Sequence, residues 1–131
     1  MIPKFRAWDK RENTMRDVAV IHFTKGGKVN SIEYWKTPSE LKSYHVRNLV
    51  LMQSTGLKDK NGVEIFEGDL VEHDDNINGT WETFEACEIV YDVDYAQFCF
   101  KNDASNFLSY YRNLCIIGNI HENPELLEGT E

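Results

Sequence analysis

The clearest structural signal in the chain lies at residues 57–71, which read LKDKNGVEIFEGDLV. Two mixed polar and apolar runs flank the pair Asn61-Gly62, and an Asn-Gly pair favours the type I′ turn of a β-hairpin. Gly68 then predicts a bend or bulge before the next strand, because a glycine inside a strand pattern often marks such an irregularity. The segment therefore predicts consecutive antiparallel strands joined by short turns.

Outward from this segment, short runs rich in β-branched and aromatic residues predict further strands. Residues 18–23 and 29–35 flank Gly26-Gly27, which predicts a second hairpin. Residues 74–79 are polar and predict a loop. The other predicted strands are residues 4–8, 49–52, 84–91, 95–100 and 114–117, with residues 92–94 as the turn between two of them.

Three sites carry signals for short helices. The run Thr37-Pro38-Ser39-Glu40 has the form of a capping box with proline at the first helical position, and it predicts a helix as far as His45. Asp103 can cap a second short helix that carries Phe107. The run Asn123-Pro124-Glu125 predicts a final helical turn, because an N-cap, a proline and an acidic residue follow one another.

Strand patterns outnumber helix patterns, so the predicted fold class is mainly β, with only a minor α+β character. The chain has 131 residues, including 7 Phe, 6 Tyr and 3 Trp, which is enough material for one apolar core. We therefore expect a compact single domain spanning residues 1–131. Its predicted architecture is one of small barrel-like or half-open antiparallel sheets with two or three short helices.

Charge is divided unevenly along the chain. Residues 1–60 contain 12 Lys or Arg and 6 Asp or Glu, whereas residues 61–131 contain 2 and 16, so the formal charges are +6 and −14. Residues 1–60 could form a basic sub-lobe and residues 61–131 an acidic one. Two interpretations stay open: the two parts neutralise each other within or between molecules, or one part presents a charged face to a partner.

The cysteine pattern favours a reducing compartment. Cys87, Cys99 and Cys115 are odd in number and widely spaced, and the N-terminus has no apolar signal segment. No apolar run is long enough to cross a bilayer, so no membrane association is predicted. We therefore expect the protein in the cytoplasm of its host cell.

Two long motif blocks, at residues 51–71 and 117–127, resemble the YopX family of phage and prophage proteins, as does the opening segment at residues 4–9. The resemblance implies a phage or prophage genome and a mainly β fold. It implies no activity, cofactor or catalytic residue, so no functional residue is carried over. The residues singled out as structural positions of these blocks are Gly56, Asn61, Gly62, Gly68, Asp69, Gly118, Asn123 and Pro124.

Catalytic and metal-binding patterns are missing from the sequence. No nucleophile motif, phosphate loop or dinucleotide fingerprint occurs, and the cysteines and histidines lack the close spacing of a zinc site. The cluster His73-Asp74-Asp75 is more simply interpreted as a strand end that runs into a solvated loop. We therefore predict a protein that is not an enzyme and holds no metal or cofactor.

Binding is the remaining class of function, and the charge division suggests two partners. A negative stretch in the second half could engage a basic protein, or take part in self-association, and its candidate residues are Glu82, Glu85, Glu88, Asp92 and Asp94. The alternative is single-stranded nucleic acid on the basic 1–60 half, because basic and aromatic residues on a β-surface suit such a ligand. Its candidate residues are Arg6, Trp8, Lys10 and Arg11. The competing interpretation is that these aromatic residues belong to the core and the cations are ordinary solvated edge residues.

Overall fold

The computed structural model describes residues 4–101, 103–107 and 113–128 and consists almost entirely of strands. One 3₁₀ turn, Val46–Asn48, connects β4 to β5, and one short helix, α1, spans Glu125–Glu128. The strands are β1 Phe5–Asp9, β2 Thr14–Phe23, β3 Val29–Thr37, β4 Glu40–His45, β5 Leu49–Lys58, β6 Glu64–Phe66, β7 Asp69–Ile77, β8 Thr80–Asp92, β9 Gln97–Phe100, β10 Asp103–Phe107 and β11 Cys115–Asn119.

All described strand pairs are antiparallel, and they form two sheets with the orders β4-β3-β2-β1-β5-β6 and β10-β9-β8-β7-β11. The predicted mainly β class is confirmed. Each order begins and ends with an edge strand, so within the described residues neither sheet closes into a barrel, and the barrel-like alternative is wrong. The prediction of two or three helices is wrong as well, because only α1 forms a helix within those residues.

The chain divides into two compact units, residues 1–53 and 54–131. Strand β5 continues from the first unit into the second: its first half pairs with β1, and its second half pairs with β6. In unit 1 the core is formed by Ala7, Ile32, Tyr34 and Leu49. In unit 2 it is formed by Ile65, Val71, Ile89, Phe100 and Leu114. The single domain of residues 1–131 stays a prediction.

The segment predicted as a helix after Thr37 is a strand instead. Glu40–His45 forms β4 and pairs with β3 in a register that places Ile32 opposite Tyr44. The Thr37 hydroxyl accepts a hydrogen bond from the Ser39 N–H, so the Thr-Pro-Ser-Glu run forms a tight turn rather than a helix cap. Local capping chemistry was outweighed by pairing with a neighbouring strand.

The predicted loop at residues 74–79 and the predicted helix at Asp103 are also wrong. Strand β7 continues to Ile77, and the turn to β8 consists of Asn78 and Gly79, with φ angles of 54° and 86°. Two successive positive φ angles are typical of a type I′ turn, which an Asn-Gly pair favours. Asp103 begins strand β10, which pairs with β9. The predicted helix residues 108–111 lie outside the described residues.

The turn at Asn61-Gly62 has a different geometry from the predicted one. Gly62 has a φ of +82°, but Asn61 does not have a positive φ, so the turn is not type I′. The Gly62 N–H donates to the Asp59 carbonyl, and the Asp59 N–H donates to the Val63 carbonyl. The loop at Gly26-Gly27 repeats this pattern, with Thr24 at the position of Asp59. Both hairpins form as predicted.

The Asp59 carboxylate joins the turn to a distant strand. Its Oδ1 accepts hydrogen bonds from the N–H groups of Asn61 and Val63, both at 2.9 Å. Its Oδ2 accepts one from the Ile116 N–H at 3.1 Å, on β11. Burial is the largest single influence and raises the pKa of Asp59, but the hydrogen bonds from Val63, Ile116 and Asn61, with the charge of Lys60, together hold it below the ordinary 3.8.

This lowered pKa predicts a stability contribution that depends on pH. Because the folded-state pKa lies below the unfolded-state value, the contribution is complete above the unfolded-state value and is lost as pH falls through the folded-state value. We expect the difference in free energy of unfolding between wild type and Asp59→Asn to shrink between about pH 7 and about pH 3. Urea unfolding at several pH values measures it. A difference that stays constant or grows toward acid would contradict the prediction.

Candidate binding site

The predicted basic residues near the N-terminus do not form one surface. Lys10 and Arg11 are exposed in the turn between β1 and β2, but Arg6 is half-buried on β1. Trp8 is only 8% exposed. A ring buried to this extent cannot serve as a platform for a stacked base, whereas Lys10 and Arg11 are exposed and Arg6 is exposed in part.

Asp9 organises the turn that carries these two cations. Its side chain is fully buried, and Oδ1 accepts hydrogen bonds from the N–H groups of Arg11 at 3.0 Å and Glu12 at 3.4 Å. Its Oδ2 lies 3.4 Å from Nη2 of Arg16, which also pairs with Glu12. The carboxylates of Asp9 and Glu12 thus both pair with the Arg16 guanidinium. Neither pairs with the guanidinium of Arg11.

Arg11 contributes to a surface cavity in unit 1, here called the basic cleft. The cavity has a volume of about 420 Å³ and is lined by Arg11, Lys42, Ser43, Tyr44, His45, Arg47 and Asn48. Its lining therefore combines two arginines, a lysine and a histidine with no carboxylate. A concentration of cations of this kind favours an anionic ligand.

A side-chain contact and a backbone hydrogen bond hold the walls of the basic cleft together. The Arg11 guanidinium lies over the Tyr44 ring, 4.4 Å from its centroid, in a cation–π contact. The Lys10 N–H donates to the Asn48 carbonyl at 2.9 Å, which links the β1–β2 turn to the 3₁₀ turn. Sequence reasoning missed the cleft, because it predicted a helix for the segment after Thr37, which forms the strand that carries Lys42 and Tyr44.

The predicted acidic stretch lies mainly on two hairpins of unit 2. Residues 74–100 contain seven Asp or Glu and no Lys, Arg or His. Residues 78–85 are exposed on both faces of the β7–β8 hairpin, because β9 pairs only with residues 89–92 of β8. Residues 74–85 are here called the acidic hairpin. Glu82 and Glu85 are exposed on it.

The other three acidic candidates have different surroundings. Glu88 is half-buried and lies 3.8 Å from the Lys101 ammonium. Asp92 is half-buried, and its Oδ1 accepts hydrogen bonds from the N–H groups of Asp94 and Tyr95, so it stabilises the β8–β9 turn. Asp94 is exposed in that turn. Glu82, Glu85 and Asp94 are thus the predicted acids that are fully accessible.

Trp81 is the feature of the acidic hairpin that sequence reasoning missed. It is 66% exposed, next to the turn at Asn78-Gly79. Phe84, three residues further along β8, packs on the sheet: the His73 ring stacks on the Phe84 ring with centroids 5.2 Å apart and on the Phe100 ring with centroids 4.7 Å apart. The signal was present in the sequence, because Trp81 lies directly beside Glu82 after an Asn-Gly turn.

The residues of the motif blocks serve the scaffold of unit 2. Asp69 is buried and accepts a hydrogen bond from the Phe66 N–H at 2.8 Å, across Gly68 with its φ of +83°. Gly118 lies directly against Asn123, whose Oδ1 accepts from the Asn119 N–H at 3.2 Å. Gly56 and Gly62 also have positive φ, and Pro124 precedes α1.

The described residues contain neither a metal-ligand cluster nor a membrane-spanning helix. In that part of the chain no group of three His, Cys, Asp or Glu side chains is placed to hold a metal ion. The described residues Cys87, Cys99 and Cys115 form no disulfide, and burial raises the pKa of the Cys87 thiol. No helix in the same residues is long and apolar enough to span a membrane.

The chain is similar over nearly its whole length to a known protein family and to a solved structure. The family described as YopX protein matches residues 4–128. The crystal structure of protein EF1440 from Enterococcus faecalis is similar with a TM-score of 0.70 and 35% sequence identity, over 97% of this chain and 99% of that chain. A search of curated proteins found no match.

Proposed function

The chain belongs to the YopX family, as its motif blocks predicted, and on that premise we propose that it is a phage- or prophage-encoded accessory protein that acts in the host cytoplasm by binding a protein partner. The acidic hairpin is the proposed contact surface. The observation that carries the proposal is Trp81, exposed to 66% on the strand that also carries the exposed acids Glu82 and Glu85, in a 27-residue stretch without a cation.

An exposed tryptophan beside charged residues has the composition of a binding hot spot. Trp is among the residues that contribute most to protein–protein affinity, since it buries a large rigid surface. The acids of the same hairpin would steer a cationic partner toward it and disfavour an acidic one. The partner class that this surface fits best is a protein segment rich in Lys and Arg.

The pairing of β8 adds a preference for an extended segment. Within the described residues, positions 80–87 of β8 lie opposite β7 and not opposite β9, whereas the Glu88 carbonyl accepts a hydrogen bond from the Lys101 N–H. A second chain can add to such a strand edge through main-chain hydrogen bonds. Pairing of two copies through this edge would bring the Glu82 and Glu85 carboxylates of one copy close to those of the other. Because like charges repel, a cationic partner fits this edge better than self-association does.

A defined cationic peptide tests this proposal. We expect a fluorescently labelled, strand-forming Lys-rich peptide to bind the full chain more tightly at low salt than at high salt. Trp81→Ala should weaken binding about tenfold, the effect of losing roughly 1.4 kcal/mol at a hot spot. The charge reversal Glu82→Lys with Glu85→Lys should weaken it by at least as much.

The matched control reverses the same amount of charge elsewhere. Glu40→Lys with Glu125→Lys changes two exposed acids outside the acidic hairpin. This variant should retain most of the affinity if the hairpin is the contact surface. Equal losses in both double variants would show that only net charge matters, and the proposal would then fail.

Single-stranded nucleic acid is the second candidate ligand, and a separate observation supports it. Among the described residues of unit 1, eight Lys or Arg side chains are exposed against three Asp or Glu. Affinity for nucleic acid depends on cations that displace counterions from phosphates. Unit 1 therefore has a suitable local charge even though the whole chain carries −8.

A further inference from the structure

We infer that the basic cleft of unit 1 is a binding site for a phosphate ester, supplied either as a free nucleotide or as single-stranded nucleic acid. This inference deepens the second candidate function and rests on its premise that unit 1 binds anions. It does not depend on the acidic hairpin.

The cleft is positively charged, as a phosphate site requires. Arg11, Lys42 and Arg47 contribute permanent positive charge, and they come from two separate chain segments that meet at one cavity. Arg and Lys are the residues that bind phosphate through charge-assisted hydrogen bonds. The nearby acids Asp9 and Glu12 are engaged with Arg16 and do not line the cleft.

The cleft is large enough for a small molecule. Its volume of about 420 Å³ lies within the roughly 300–1,000 Å³ of small-molecule sites. That is more room than one inorganic phosphate ion fills, and the cleft is open to solvent, so a ligand held by its phosphate has space for a further group. A sugar and base attached to the phosphate would fit this space.

Two hydrogen-bond donors of the cleft, Arg11 and His45, are already oriented. The contact with Tyr44 restrains the Arg11 guanidinium at the cleft. The Nδ1 atom of His45 accepts a hydrogen bond from the Arg47 N–H at 3.1 Å, so the ring proton of a neutral His45 lies on Nε2, which can then donate. Pre-oriented donors reduce the entropy lost on binding.

Calorimetric titration of the full chain tests the inference with two probes, thymidine 5′-monophosphate and a short single-stranded oligothymidylate. The cleft variant is Lys42→Gln with Arg47→Gln, which removes two charges from exposed side chains and leaves Arg11 in place. The control is Lys25→Gln with Lys28→Gln, which removes the same charge from the exposed β2–β3 turn. Circular dichroism confirms that each variant folds.

We expect the cleft variant to bind at least one probe about tenfold more weakly or worse, because two charged hydrogen-bond donors to the phosphate are lost, while the control keeps most of its affinity. Loss for the mononucleotide identifies a free nucleotide as sufficient ligand, and loss for the oligomer alone identifies nucleic acid. The inference is overturned if neither probe binds wild type, or if the cleft variant binds like wild type. Oligomer binding that only the control variant loses would leave the second candidate function standing and the cleft without a ligand.

Discussion

Replacing Asp59 by alanine is expected to lower the free energy of unfolding by about 3–5 kcal/mol, since hydrogen bonds to a charged acceptor contribute about 1.5–3 kcal/mol each. The carboxylate accepts from three backbone N–H groups, and the residue is only 7% exposed. Alanine leaves these donors without their acceptor. Because small domains are stable by about 5–15 kcal/mol in total, this loss is a large share.

Urea unfolding followed by circular dichroism measures the loss, and Asp92→Ala is the matched control. Asp92 also accepts two turn N–H groups, from Asp94 and Tyr95, but the bonds in its turn are local and it is half-buried. We expect about 1 kcal/mol there, the usual effect of losing a capping side chain. Similar losses for the two variants would contradict a special role for Asp59.

The bond from Ile116 to Asp59 also explains why the two motif blocks form one scaffold. Asp59 lies in the first block, and its Oδ2 reaches β11, the strand that leads into the second. Lys60 adds a parallel link, because its N–H donates to the Leu114 carbonyl at 2.8 Å. The acidic hairpin lies between the blocks in sequence. The proposed contact surface, residues 74–85, thus lies outside the motif blocks, and the proposed binding of a partner does not require those blocks to change.

The sequence predicted those features of the fold that depend on local chemistry. Alternating patterns and glycine-containing turns correctly indicated most strands, and both predicted hairpins formed. The final helical turn at α1 followed from its N-cap and Pro124. These signals succeed because the residues that carry them act on their own neighbours in the chain.

The features that failed depend on distant partners. The run from Thr37 to Glu40 has the residues of a helix cap, but residues 40–45 pair with β3 instead. The basic cleft could not be predicted, because it needs this strand beside the turn that carries Arg11. Trp8 has the appearance of a binding residue in sequence, but its ring is buried in the structure and is not available for stacking with a ligand. Asn78-Gly79 was overlooked, because the polar residues before it were interpreted as a loop.

Gly118→Ala is the second substitution with a large expected effect. A Cβ at this position would lie 2.5 Å from Oδ1, 2.7 Å from Cγ and 3.0 Å from Cβ of Asn123. Asn123 cannot easily move aside, because its Oδ1 accepts from the Asn119 N–H and its own N–H donates to the Asn119 carbonyl. We expect a loss of about 2–3 kcal/mol in the free energy of unfolding, toward the upper end of overpacking effects.

A double-mutant cycle with Asn123→Gly separates this clash from other effects of Gly118→Ala. Glycine at 123 removes all three clashing atoms, and it also removes the acceptor of the Asn119 N–H, a loss common to both arms of the cycle that cancels in the coupling energy. Gly118→Ala should therefore cost about 1–2 kcal/mol less in the Asn123→Gly background than in wild type. Gly26→Ala is the control, because the nearest atom to its added Cβ is 3.9 Å away. Additive losses in the cycle would show that contact with Asn123 is not why this position holds glycine.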